Sequence, residues 1–414
     1  MGRVRLAAVG LVGALSLTLS GSGVTAVLGS GRPSPSPQLV ALSRPEQAAA
    51  AERSFADDLV AALSRERDGN VVLSPASIFD VLALLAPGAQ GSTATQLDRA
   101  LHATGSPRQF VADLMGLEQH LGTAGGTVTM ASAAWLQQGY PLGSAYRQLL
   151  TDAGAPPQIQ DFRNNPDGAR QSINQWVSDQ TNRRIDDLFA PGTIRATTRL
   201  VLANAVALQA TWRTPFPQQS TQSAPFATPT GSQSVSMMRL LAPLDYVQTA
   251  QAQAVRLPYS SGGLDALVAL PNDPTVNPLT LLPELSATAV PFSSHMVALA
   301  LPRFQTDTTL DLQPTLGELG LGGLFAHPDL SGIGGLPGDL RVDAAVHKAW
   351  ISVDETGTQA TAASGVSVGT TAAPLRQLVS MTVDRPFLFV VEDSATSVPL
   401  FVARINDPVD PASP

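Results

Sequence analysis

The chain has 414 residues, 44% of them hydrophobic and 14% charged, with a net charge of −8. That is enough apolar material for one large domain or two medium ones, without the Lys and Arg clusters that a nucleic-acid or anionic-membrane partner requires. It contains no cysteine, which excludes disulfides, thiolate metal ligands and a thiol nucleophile.

At the N-terminus Arg3 and Arg5 precede an apolar stretch from Leu6 to Leu19, and Val24-Thr25-Ala26 offers small residues for cleavage. This pattern predicts a secretory signal peptide over residues 1–26 and a secreted, extracellular product without stable membrane association. The apolar run is short for a membrane span; an uncleaved anchor is the alternative. Residues 27–45, which include GSGRPSPSPQ, read as an extended linker. The body is expected over 46–410.

In the body, Phe55, Leu59 and Leu63 recur at helical spacing. Val71–Leu73 reads as a short strand. Ser74-Pro75 then opens a helix, because Ser accepts from the first unpaired amides and Pro at the first turn gives up no hydrogen bond. Its apolar residues continue to Leu85, so Ser74 and Ser77 are expected to be buried and to need partners. Residues 169–189 predict a further amphipathic helix through Ile173, Trp176, Val177, Ile185 and Leu188. The run TRLVLANAVALQATW, residues 198–212, reads as a strand buried on both faces, and Asn204 within it demands specific partners. From about residue 235 strand-like pieces dominate. Helices early and strands late, without βαβ alternation, predict the α+β class.

Catalytic and metal-binding patterns are scarce. His102, His120, His295, His327 and His347 form no zinc-binding spacing, so neither metal nor cofactor is expected. His347 lies in a strand pattern and reads as a buried, hydrogen-bonded histidine. Gly365-Val366-Ser367-Val368-Gly369 matches a hydrolase nucleophile elbow on paper. The elbow needs a buried strand before it and a helix after it; here only small residues flank it, and no His lies downstream. An enzyme is not expected.

The stretch containing that match, VDETGTQATAASGVSVGTTAAP at residues 353–374, has the composition of a flexible linker. As a strand, however, it alternates. Thr358, Ala360, Ala362, Ser364, Val366 and Val368 would share one face, and Gln359, Thr361, Ala363, Gly365, Ser367 and Gly369 the other. No proline falls between Pro337 and Pro374, although proline would block entry into the middle of a sheet.

With these features the chain resembles the serpins from about residue 46 to 408. The resemblance is carried by NVVLSPASI, INQWVSDQTNRRIDDLF, TRLVLANAVALQATWRTPF, Met237-Met238, Leu257–Tyr259, Leu301–Phe304, LGGLFAHPDLSGI, VHKAWISVDETGTQATAA, RPFLFVVED and PLFVARINDP, in that order. It implies about nine helices around three β-sheets, with a large central sheet and an exposed reactive-centre loop at about 356–377. It implies a monomeric inhibitor of serine proteases acting as a suicide substrate: the loop is cleaved, an acyl-enzyme forms, and the freed loop inserts into the central sheet. A non-inhibitory serpin, acting as a binding or chaperone-like protein, is the alternative. Carried over by position, Glu355, Gly357, Thr358, Ala360, Thr361, Ala362 and Ala363 form the hinge, and Arg303 pairs with Glu355. Ser74, Ser77, Asn204 and His347 form a hydrogen-bonded cluster beneath the opening sheet. The scissile bond falls at Thr371-Ala372, suiting an elastase-like or subtilisin-like protease. Leu375, for a chymotrypsin-like enzyme, and Arg376, for a trypsin-like one, are the alternatives. The loop, Thr358 included, is expected to be exposed before cleavage, so that Arg at position 358 would be tolerated there.

Overall fold

The computed structural model describes residues 35–65, 69–123, 127–286, 290–358 and 378–411. The N-terminal half carries α1 (Pro37–Val40), α2 (Pro45–Leu63), β1 (Val71–Leu73), α3 (Pro75–Ala83), α4 (Gly91–Ala100), α5 (Pro107–Thr123), β2 (Thr127–Gln137), α6 (Ser144–Asp152), β3 (Gln158–Gln160) and α7 (Pro166–Gln180). The remainder is mostly strand: β4 (Leu200–Thr211), β5 (Gln222–Thr228), β6 (Gly231–Gln248), β7 (Ala252–Pro258), β8 (Leu264–Pro271), β9 (Ser293–Pro302), β10 (Phe304–Asp311), β11 (Ala344–Val353), β12 (Gly357–Thr358), β13 (Leu378–Thr382), β14 (Phe387–Asp393) and β15 (Pro399–Ile405). Two short helices, α8 (Leu282–Leu285) and α9 (Leu312–Leu316), interrupt it. The order is the α+β order read from the sequence.

The three sheets expected share strands and form two networks among the described residues. One has nine strands, in the order β1-β15-β14-β8-β7-β6-β9-β13 with β5 also on β6; the other has six, β10-β11-β12-β4-β2-β3. The first is continuous because β6 is 18 residues long. It pairs with β9 along most of its length and with β7 only at its end, from Asp245 to Gln248.

Both faces of the six-stranded sheet are covered, which explains why β4 reads as an unbroken apolar run. On one face Val206, Leu208 and Ala210 join a core with residues of the nine-stranded sheet. On the other, Val201, Ala203 and Ala205 pack with Ile173 and Val177 of α7. Helix α3 opens as its sequence dictates. Ser74 caps it by accepting from the Ser77 amide, and Pro75 occupies the first turn.

Three boundaries differ from the sequence reading. Helix α7 stops at Gln180 rather than near Leu188, because Asn182 and Arg183 turn left-handed (φ 50° and 60°) and the Arg183 amide donates back to the Ser178 carbonyl at 2.7 Å. Ile185 and Leu188 are buried all the same; the apolar spacing tracked burial, not helicity. Helix α3 ends at Ala83, and Pro87 forbids its continuation. Part of the segment read as linker is folded. Ser36 caps α1 and donates its amide to Asp152, Leu39 is fully buried, and Arg44 bonds Asp113 through both its amide (2.7 Å) and its guanidinium (3.1 Å). Pro37 and Pro45 are helix starts, which composition alone had made look like linker residues. The expected signal peptide lies outside the described residues.

Glu52 is an exception in this core. It sits on the buried side of α2, and its Oε1 has no hydrogen-bond partner among the described residues. Burial, followed by the charge of Glu118, pushes its carboxyl up to about 8. A carboxyl raised in the folded state is protonated there while the unfolded chain ionises, so stability falls as pH rises from about 4.5 through 8. Glu52→Gln removes that slope. Its advantage over the parent in denaturant midpoint should grow between pH 5 and pH 8; a constant difference across that range would contradict this account.

Candidate functional site

At the centre of the six-stranded sheet, β11 runs parallel to β4 and pairs with it directly from Ala344↔Val201 to Trp350↔Ala207. His347 lies opposite Asn204 in this register, and both side chains are fully buried. The His347 Nε2 accepts from the Ser74 amide at 3.1 Å, which leaves the proton on Nδ1, donated to the Asn204 Oδ1. The same Oδ1 accepts from the Ser77 hydroxyl at 2.8 Å. The Asn204 amide donates to the Ser77 carbonyl (2.6 Å) and to the Ser132 hydroxyl (3.0 Å). The four residues Ser74, Ser77, Asn204 and His347 are therefore brought together in one network that ties α3 to both strands. Burial lowers the His347 pKa to about 3 and keeps the ring neutral. Only a neutral ring can both donate and accept here.

Above Trp350 the two strands part. The chain leaves β11, turns at Asp354–Gly357 and comes back as β12 between β11 and β4, antiparallel to both: Thr358 lies opposite Val353 on one side and Ala210 on the other. The turn is held locally. One carboxylate oxygen of Asp354 accepts from the Thr356 amide (2.7 Å), the Thr356 hydroxyl (2.6 Å) and the Gly357 amide (3.2 Å), while the Asp354 amide donates to the Gly357 carbonyl. It is also docked on the segment after β4. The Trp212 amide donates to the Thr356 carbonyl, the Trp212 indole to the Asp354 carbonyl and the Phe216 amide to the Glu355 carbonyl, each at 2.9 Å. Gly357 is required by close approach: a Cβ there would lie 2.1 Å from the Ala210 carbonyl oxygen.

Glu355 is buried, and its Oε1 accepts two bonds from Arg303, from Nε at 2.9 Å and Nη2 at 2.5 Å, and a third from the Thr221 hydroxyl. Thr358 faces inward and is also fully buried, with its hydroxyl 2.6 Å from that of Tyr259. The expectation that position 358 is exposed before cleavage is therefore corrected. The tight Asp354–Gly357 turn leaves the chain no path outward before Thr358, and Arg at this position would be buried unpaired in the uncleaved protein as well. Ala360, Thr361, Ala362, Ala363, Thr371, Ala372, Leu375 and Arg376 lie outside the described residues.

Five residues of this site, Ser132, Thr221, Asp354, Trp212 and Tyr259, had no partner assigned from sequence. Ser132 had a usable signal: it is the one polar side chain between Met130 and Leu136, opposite Asn204 in register. Asp354 is joined to the turn by bonds two and three residues on, and Thr221, Trp212 and Tyr259 across separations that no local pattern reports.

A family model described as Serpin (serine protease inhibitor) matches residues 50–408. A leukocyte elastase inhibitor of Bos taurus is 31% identical over 382 residues, covering 88% of this chain and 100% of that protein. A protein named serine protease inhibitor from Cyanea capillata is 31% identical over 354 residues, covering 82% and 92%. Among solved structures, a serpin of the insect Tenebrio molitor superposes with a TM-score of 0.78 at 26% identity, covering 88% of this chain and 98% of that one. Uncleaved ovalbumin superposes with a TM-score of 0.74 at 25% identity, covering 88% and 100%.

The His347 network carries a pH signature. The folded ring stays neutral to about pH 3 while the unfolded ring protonates near 6.5. Its contribution is thus complete above pH 6.5 and is lost as pH falls toward 3, at up to about 1.4 kcal/mol per pH unit. His347→Gln should be less stable than the parent at pH 7, and that deficit should shrink on acidification to pH 4. A deficit that stays constant with pH, read from urea midpoints, would count against the assignment.

Proposed function

The chain belongs to the serpin family, and we propose that it is a secreted inhibitor of serine proteases that works as a suicide substrate. The observation that carries this reading is the partial opening of the sheet: β11 and β4 are parallel neighbours below Trp350 and are already separated above it by Gly357-Thr358. A strand continuing from Thr358 would exchange one parallel ladder for two antiparallel ones, and parallel pairing is slightly the weaker per residue. From Ala360 the chain supplies only small or β-branched residues, and no proline, as far as Pro374. The family match and the two relatives named as protease inhibitors support the same reading.

In this mechanism the protease attacks Thr371-Ala372, forms an acyl-enzyme, and is carried along as the cleaved loop enters the sheet. Thirteen or so residues at about 3.3 Å each move it by roughly 40 Å. Continuing the register of Thr358, Ala360 falls opposite Leu208 and Ile351, Ala362 opposite Val206 and Ala349, and Ser364 opposite Asn204 and His347. Entry at that level separates Asn204 from His347 and leaves the Nδ1–H without its acceptor. Ser364 is the one inward hydroxyl between Thr358 and Val368, and it arrives where that acceptor is lost.

The reading is tested with a panel of pancreatic elastase, subtilisin, chymotrypsin and trypsin. The expected outcome is a complex that survives boiling in detergent and a released C-terminal fragment beginning at Ala372. A fragment beginning at Gln377 would move the bond to Arg376 and the target to a trypsin-like enzyme. Cleavage by every protease without a stable complex would favour the non-inhibitory alternative. Protein recovered from culture medium should lack about the first 26 residues.

Ser364→Val should raise the number of inhibitor molecules consumed per protease blocked several-fold, because an unpaired buried donor costs about 1–3 kcal/mol. Ser364→Thr, which keeps the hydroxyl, should not. Equal behaviour of the two variants would show that the inserted strand has another register.

A further inference from the structure

We infer that Tyr259 is a positioning residue for loop insertion: its hydroxyl holds Thr358 in the sheet of the intact protein, so that insertion begins from a hinge already seated. The inference rests on the inhibitor reading for its consequence, but not for its geometry. Tyr259 and Thr358 are both completely buried, and their hydroxyls lie 2.6 Å apart. No other side-chain hydrogen bond is made by the Tyr259 hydroxyl among the described residues, so its one polar atom is committed to the hinge. The ring is fixed by what surrounds it. It stacks on Trp212 with centroids 4.6 Å apart and planes 13° from parallel, and its amide donates to the Leu264 carbonyl at 3.0 Å. Trp212 is in turn the residue that binds the hinge turn through its indole and its amide. The ring therefore presents the hydroxyl from a rigid seat where the end of β7 is bridged to the segment after β4, Tyr259 opposite Trp212.

The seat acts on the start of insertion. An unseated hinge would first have to meet the entropy of bringing its end into the gap before any new backbone bond rewards it. With Thr358 in place that cost is already met, and the next residue adds to an existing edge. The bond belongs to the inserted register too, because Thr358 already has the partners, Val353 and Ala210, that a continuing strand would give it. Loss of the hydroxyl should therefore slow the first step without weakening the pairing that follows. Burial raises the Tyr259 pKa, so the phenol stays protonated throughout the working range.

The test compares the parent with Tyr259→Phe, Thr358→Val and the double variant. Tyr259→Phe keeps the ring stack. The double variant removes both hydroxyls and leaves neither unpaired, a change that can be nearly neutral. Three quantities are read: amide exchange of the peptide spanning residues 354–358 in the intact protein, the number of inhibitor molecules consumed per elastase blocked, and the rate at which the denaturation midpoint rises after the loop is nicked. The expected result is slow exchange in the parent, exchange roughly tenfold faster in each single variant, a several-fold higher consumption, a slower rise after nicking, and only partial recovery in the double variant, which leaves no hydroxyl unpaired but still lacks the bond. Coil-like exchange in the parent overturns the inference, as does a Tyr259→Phe variant that matches the parent in exchange or in the rate after nicking. If the parent blocks no protease, the inhibitor reading fails, and exchange and the rise after nicking still decide the role of Tyr259.

Discussion

The direct parallel pairing of β11 with β4 is the constraint on which the rest of this structure depends. Within the six-stranded sheet every other long pairing, β10 with β11 and β2 with β4, is antiparallel. The parallel seam lies between them, in the middle of the sheet, where a gap could not be left open. Its strands arrive from opposite parts of the chain, so no hairpin joins them and no turn opposes their separation. What closes the seam is backbone pairing over seven positions together with the side-chain bond between His347 and Asn204. The apolar layers on both faces are common to the two strands and would remain if a strand entered.

The two ends of the seam are built differently. Midway down, polar groups with no access to water are paired with one another: Ser74, Ser77, Ser132, Asn204 and His347. A network of this kind is stable only while every member is satisfied, so it favours one spacing of β11 and β4 and resists intermediate ones. At the upper end the contacts come from outside the seam. The Glu355–Arg303 pair, the Trp212 bonds and the Tyr259 hydroxyl hold the hinge between the strands without linking the strands to each other. A lock in the middle and a seat at the top give a sheet that is closed yet already started.

Much of this was legible because it is written locally. Ser74-Pro75 specified both the start of α3 and a buried hydroxyl; β4 announced burial on two faces; Asn204 and His347 stood out as polar residues inside apolar strands. What was not legible has a physical reason in each case. The end of α7 depends on two left-handed residues, Asn182 and Arg183, that interrupt a helical apolar spacing without changing it. The fold of residues 35–45 depends on Asp113 and Asp152, about seventy and more than a hundred residues away, while its composition is that of a linker. The burial of Thr358 depends on the Asp354–Gly357 turn and on Tyr259, and alternation within a segment reports which face a residue takes but not whether the sheet has already admitted it. Alternation did place Thr358 on the inward face, where the structure has it.

The low bulk of the hinge and loop is best understood from the outer face of the seam. Ile173 and Val177 of α7 pack against Ala203 and Ala205 there, and Trp350 and Val346 of β11 border the same cluster. Arg184, from the turn after α7, lies 5.6 Å over the Trp350 ring. The helix and its exit thus bridge both strands, and an entering strand must pass beneath them. If the proposed strand continued the register of Thr358, Thr361 would fall opposite Ala207 and Trp350, Ala363 opposite Ala205 and Lys348, and Gly365 opposite Ala203 and Val346. The outward side chains of such a strand under α7 would be threonine, alanine, glycine and serine at 361, 363, 365 and 367, all small, while the inward row, bounded by a core that must be filled, would carry Val366 and Val368. A long outward side chain at 363 or 365 would have to displace α7 from its apolar contacts. The composition that makes residues 353–374 look like a linker is, on this reading, the composition a strand needs if it is to enter a sheet whose outer face is already occupied.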